Sequence, residues 1–299
     1  MNLEHKELKT MSEYVILTDS ACDLTAEMAE ELGIGVVPFG VDMEGHTFKS
    51  TLRDCEIPVR EYYALLRTKH RSTTAAINPV EYVEFFEPYL RQGFDVLYLA
   101  FSSGLSSSYD ASRVAAAELA EKYPGQKIFC VDTLCASMGQ GLLVWLTARQ
   151  KRHGVTIEAA RDYAEANKLH LCHWFTVEDL HHLKRGGRVS ATTAILGSAL
   201  NIKPVLHVDN DGHLISMEKA RGRKRSIARL AEKAAETGID LAKQTVFISH
   251  GDCPEEAEAL AEQVRGMGVS SVFVNTIGPV IGAHSGPGTM ALFFLGSER

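Results

Sequence analysis

No apolar run among the 299 residues is long enough to cross a bilayer, so no transmembrane helix is expected. Residues 1–12 are polar and charged and read as a leader without the apolar centre of a secretory signal. The six cysteines (Cys22, Cys55, Cys130, Cys135, Cys172 and Cys253) contain no C-x-x-C pair, and their spacing fits neither a zinc ribbon nor a disulfide framework. Reduced, structural thiols in a cytoplasmic protein are expected. A basic excess is also missing: net charge is -7, which argues against broad electrostatic binding to nucleic acid. No G-x-G-x-x-G follows the first strand-like run, and no G-x-x-x-x-G-K-[ST] occurs, so nucleotide binding has no motif behind it. His170, His173, His181 and His182 lack the H-E-x-x-H spacing, and no metal site is expected from them.

What is present is an ordinary globular composition, 45% hydrophobic and 23% charged, in a chain of about two-domain length. The stretch that organises it is S-S-G-L-S-S-S at residues 102–108. A short apolar run at 94–101 precedes it and an Ala-rich helical stretch at 109–119 follows. A strand that ends in small hydroxyl residues and opens a helix offers free N–H groups and rotatable donors to an anion. The same residues also suit a helix cap and a solvated turn.

Around this joint, strands and helices alternate. Strand runs are expected at 14–17, 35–41, 94–101 and 127–131, with helices at 26–32, 61–69, 80–92 and 141–150. That order predicts a parallel, doubly wound α/β sheet in an N-terminal domain, residues 13–160. Residues 42–60 read as irregular, and 72–79 as a polar loop before a helix that Pro79 opens. Asp19 sits at the end of the first strand, where turn and cap duty is expected. From residue 161 the texture changes. The turn at 209–212, Asp209-Asn210-Asp211-Gly212, signals a hairpin, so the C-terminal domain, 161–299, is expected to be a mixed α+β sheet with helices. Lys184 to Ser190 reads as an ordinary helix stop at Gly186-Gly187 with basic residues in the last turn.

Several motifs together carry a resemblance. Thr18-Asp19-Ser20-Ala21-Cys22-Asp23-Leu24, Ser102-Ser103-Gly104-Leu105-Ser106, Val131-Asp132-Thr133, Leu183-Lys184-Arg185-Gly186-Gly187-Arg188-Val189-Ser190, Asn201-Ile202-Lys203-Pro204 and the glycine-rich segment from Gly278 to Gly288 occur in one order. This set resembles the signatures of the DegV family across nearly the whole chain. The resemblance implies a two-domain α/β carrier that binds one long-chain fatty acid between its domains. It also implies that the carrier does no chemistry itself. A separate fatty acid kinase phosphorylates the presented carboxylate to an acyl phosphate for phospholipid synthesis.

By the same resemblance the carboxylate rests on Thr74 and Ser106, with Ser103 of the serine motif and His284 beside it. The family's T-S-Q-P-S loop reads Thr74-Ala75-Ala76-Ile77-Asn78 here, a departure that bears on head-group geometry and chain preference. Hydroxyl and helix N–H donors need no lysine to hold a carboxylate, and they leave one oxygen free to attack a phosphoryl donor. Each methylene removed from water contributes about 0.8 kcal/mol, so an enclosed long chain contributes on the order of 10 kcal/mol before entropy costs. The expected lining lies at 195–202 and at Val280 and Ile281. His284 is expected in a glycine-rich turn. The basic run 219–225, with Arg221 and Arg223, reads as a solvated face, a docking patch for the kinase, or a peripheral contact with anionic membrane. The competing class is an acyl ester hydrolase with Ser106 as nucleophile and His284 as base. It lacks G-x-S-x-G and an identifiable acid partner.

Overall fold

Tyr14 to Asp19 are mostly aliphatic or aromatic, and they form the first strand of a parallel sheet. The computed structural model describes residues 13–189 and 201–299. The leader and the expected lining at 195–200 therefore fall outside the described residues. In the first sheet β1 (Tyr14–Asp19) is followed by α1 (Ala26–Leu32) and β2 (Ile34–Val37). Thr25 accepts from Met28 N to cap α1, and Gly33 ends it at φ 64°, where a side chain would be strained.

The chain then leaves this sheet at Pro38, which has no N–H to donate to a ladder. The single strand expected at 35–41 is split there. β3 (Phe39–Met43), β4 (His46–Ser50) and β5 (Ser72–Ala75) form a separate antiparallel sheet in the order β4-β3-β5. So part of the stretch expected to be irregular is a hairpin, and the polar loop at 72–79 begins as a strand. Ser20 Oγ accepts from Phe39 N at 3.0 Å and pins the crossing to the end of β1.

After α2 (Val59–Arg67) come α3 (Pro79–Arg91), β6 (Asp95–Ala100), α4 (Ser108–Lys122), β7 (Ile128–Asp132), α5 (Ser137–Arg152) and α6 (Ile157–Asn167). The parallel order is β2-β1-β6-β7. Helices cover both faces: α5 and α6 on one, α3 and α4 on the other. The strand order reverses between β1 and β6. Ligands of open parallel sheets bind outside the carboxyl ends of the strands at such a point.

The later strands are β8 (Leu171–Thr176), β9 (Ile202–Val208), β10 (Leu214–Arg221), β11 (Thr245–His250), β12 (Ser271–Thr276) and β13 (Met290–Leu295). They make a mixed sheet, β10-β9-β8-β13-β11-β12, antiparallel except for β11 with β12. Its helices are α7 (Leu180–Arg185), α8 (Arg223–Thr237), α9 (Pro254–Arg265) and α10 (Pro279–Ser285). α8 and α9 cover its outer face.

α5 lies between the two large sheets, and the core on both of its sides is one apolar cluster. Gly139 permits this approach. A Cβ there would lie 2.1 Å from His173 Nε2 and 2.8 Å from a Phe293 ring carbon. No described helix is long and apolar enough to cross a membrane.

Candidate functional site

The sequence puts small hydroxyl residues after β6 because the chain must turn sharply there between a fully buried strand and α4. Ser102 is buried, and its hydroxyl donates to Gly212 O at 2.9 Å, tying the loop to the β9–β10 hairpin. Ser103 is exposed, and its N–H donates to Asp132 Oδ1. Ser106 Oγ accepts from Ser108 N and lies 2.9 Å from Ser108 Oγ. Ser108 Oγ in turn accepts from Ile77 N, which fastens the start of α3 to the start of α4. This bond brings β5, with Thr74, to the same place as Ser106.

Between these elements and the mixed sheet is a cavity of about 300 Å³. That is at the small end of ligand cavities, roughly 300–1,000 Å³. Its apolar wall draws Phe39, Phe101 and Leu105 from the first half of the chain and Phe175, Val208 and Phe293 from the mixed sheet. Ile277, Val280 and Ile281 on and before α10 complete it, as expected for Val280 and Ile281. Ala136 and Ser137 contribute from the carboxyl end of β7. The cavity thus sits where the strand order of the parallel sheet places a ligand.

Thr74, Ser106 and His284 all line it; Ser103 does not. His284 Nε2 lies 2.8 Å from Thr74 Oγ1. His284 stands on α10, not in a glycine-rich turn: Pro279 starts the helix, and Gly286, at φ 77°, ends it just after the histidine. Burial, and secondarily the Arg188 charge, pushes its pKa down to about 4, so the ring is neutral at pH 7. With Nε2 carrying the proton, His284 donates to Thr74 and leaves the Thr74 hydroxyl proton free. With Ser108 donating to Ser106, the Ser106 proton is free as well. Two hydroxyls then face the cavity as donors.

The cation-free head-group site expected from residue types is not what is observed. Arg188 lines the cavity, and its guanidinium donates to Leu105 O at 3.0 Å and to Gly186 O. It has no carboxylate partner among the described residues, and burial pushes its pKa below the usual arginine value. A half-buried cation without a counter-ion among the described residues, set beside hydroxyls at the edge of an apolar wall, favours an anionic ligand. In the sequence Arg188 is one of the basic residues near a helix stop. Only the long-range contact with Leu105 separates it from its neighbours.

Asp19 has the expected structural duty: it accepts from Ala21 N, Phe101 N, Tyr98 Oη and Gln140 Nε2, and burial raises its pKa. Ser106 and His284 make no hydrogen bond to each other, and no carboxylate orients His284 Nδ1 among the described residues. The nucleophile–base–acid chain of a serine hydrolase is therefore not assembled here.

In the basic run, Arg223 does not project as a docking residue. Its side chain is 16% exposed and bonds Glu256 at 2.8 Å, with Glu178 at 3.8 Å. Arg221, Lys219 and Lys224 are exposed and make no ion pair among the described residues. No group of three or more His, Cys, Asp or Glu among the described residues is placed to hold a metal ion.

A model of the DegV family, described as uncharacterised, matches residues 13–297. A DegV domain-containing protein of Clostridium perfringens is 43% identical over 290 residues, 97% of this chain and 99% of its own. Among solved structures, a fatty-acid-binding DegV family protein from Thermus thermophilus superposes with a TM-score of 0.86 at 28% identity, covering 95% of this chain and 99% of that one. DegV of Bacillus subtilis, a fatty acid binding protein, gives 0.80 at 26% identity over 96% of this chain and 100% of its own.

Proposed function

Because the chain belongs to the DegV family, we propose that it binds one long-chain fatty acid in the cavity between its parallel and mixed sheets and presents the carboxylate to a separate fatty acid kinase. The observation that carries this reading is the pairing of an apolar wall with Arg188, a cation without a counter-ion among the described residues, beside the hydroxyls of Thr74 and Ser106. The apolar wall suits an alkyl chain, and the polar end suits a carboxylate. The fatty acid binding of relatives of the same fold supports it.

In this reading Thr74 and Ser106 donate to the carboxylate, and His284 orients Thr74. Arg188 holds the acid ionised by favouring its anion. A carboxylate oxygen attacks the terminal phosphorus of the kinase's nucleotide, the bond to the diphosphate leaving group breaks, and the acyl phosphate remains seated. Arg221, with Lys219 and Lys224, forms the exposed basic face offered to the acidic surface of the kinase or to anionic lipid.

The test is acyl phosphate formation, trapped as hydroxamate. It is expected only when carrier, fatty acid, kinase and nucleotide are all present. Turnover of acyl esters by the carrier alone would replace this reading with the hydrolase.

A further inference from the structure

Two adjacent glycines follow α7, and as a plain helix stop both would have the same task. The structure separates them. Gly187 has φ 70°, and a Cβ there would meet nothing within 4 Å. It is glycine because the chain leaves the helix through left-handed backbone. Gly186 has φ -70° and ψ -9°, a conformation any residue adopts. What excludes a side chain at Gly186 is a neighbour. A Cβ there would overlap His284 Nδ1 and lie 3.3 Å from the ring carbons Cγ and Cε1. α7 and α10 also meet through the reciprocal contact, where a Cβ on Gly286 would lie 2.5 Å from His182 Cδ2.

The Gly186 contact reaches both polar groups at this end of the cavity. Its main chain packs on His284 Nδ1, which is buried and has no hydrogen-bond partner among the described residues. An imidazolium needs partners for two N–H groups, and only Nε2 has one, Thr74. The Gly186 carbonyl accepts from the Arg188 guanidinium, whose other branch donates to Leu105 O. α10 has no room to retreat. Gly282, about 200° around the axis from His284, packs on α2, where a Cβ would lie 2.8 Å from Tyr63 Oη. Tyr62 and Tyr63 hold the same end of the helix by donating to Pro279 O and Ile277 O. A methyl group at 186 must therefore be taken up by the imidazole or by the chain at 186–188. Restoring normal contact takes a shift of roughly 1 Å. That is enough to break the 2.8 Å bond to Thr74 or the 3.0 Å bond to Leu105 O.

We propose that Gly186 is a positioning residue of the head-group end: the lack of a side chain there seats His284 against Thr74 and Arg188 against Leu105, and so sets the preference of the cavity for a carboxylate over an uncharged head group. This rests on the carrier reading.

The experiment is calorimetry of the full chain, stripped of lipid, with hexadecanoic acid and its methyl ester. Gly186→Ala is expected to lower affinity for the acid about tenfold and to change affinity for the ester less than about twofold. Gly187→Asn, which tolerates left-handed backbone, is expected to bind both as wild type does. In a His284→Ala background the overlap is gone, and adding Gly186→Ala should cost less than about twofold. Equal loss for acid and ester, or the same tenfold loss in the His284→Ala background, overturns the proposal and leaves the carrier reading standing. Failure of wild type to bind the acid overturns both. If Gly186→Ala does not fold, His284→Ala and the double variant decide. Relief of the overlap predicts that the double variant folds and binds as His284→Ala does. A double variant that stays unfolded, or binds tenfold more weakly, contradicts it.

Discussion

Thr74 Oγ1 and His284 Nε2 lie 2.8 Å apart across 210 positions of sequence, and the contact joins the small antiparallel sheet to α10. With Nε2 protonated, the neutral imidazole donates to the hydroxyl and leaves the hydroxyl proton for a ligand. Thr74→Val keeps the shape and removes the donor. A hydrogen bond to a charged group contributes about 1.5–3 kcal/mol, so fatty acid affinity should fall roughly ten- to a hundredfold by calorimetry. Thr73→Val, at the exposed neighbouring position, should change little.

Arg188 acts on the charge of the ligand. Arg188→Gln should weaken binding of a long-chain acid at least tenfold and leave binding of its methyl ester unchanged. Equal loss for acid and ester would assign Arg188 to wall packing. Arg188→Lys keeps the charge but loses the fork that reaches both Leu105 O and Gly186 O, so partial recovery is expected.

His284 is held neutral, with its pKa pushed down to about 4. Unfolded histidine protonates near 6.5. The unfolded state therefore takes up the proton first as pH falls, and the His284 contribution is present in full above 6.5 and lost between 6.5 and 4. The stability gap between wild type and His284→Gln should narrow by up to about 1.4 kcal/mol per pH unit in that window. Urea denaturation at pH 7.5, 6 and 5 measures it. A constant gap would mean the imidazole titrates normally.

The basic run separates into two kinds of residue. Arg221→Glu should reduce kinase-dependent acyl phosphate formation severalfold with fatty acid content unchanged. Arg223→Glu should lower thermal stability first, because it sets a carboxylate against Glu256 and Glu178. Coupled kinase assays and melting curves on both variants check this.

Much of the fold is legible in the chain because burial on both faces leaves continuous apolar runs, as at Asp95–Ala100 and Thr245–His250. What the sequence hid has local causes. Pro38 breaks one apolar run into strands of two different sheets, and the polar alternation of Ser72–Ala75 imitates a loop while serving as an edge strand. Glycines at both ends of α10 disguised a short helix as a turn. In the site, Thr74, Ser106 and His284 could be matched to a motif. Arg188 could not be singled out, because its role depends on a contact between distant segments, Leu105 with Arg188.

The most direct measurement is native followed by denaturing mass spectrometry of the purified protein. One non-covalent long-chain fatty acid per chain is expected, released on denaturation, with reduced occupancy in Thr74→Val and Ser106→Ala. A mass without ligand, unchanged after incubation with a panel of fatty acids, would contradict it.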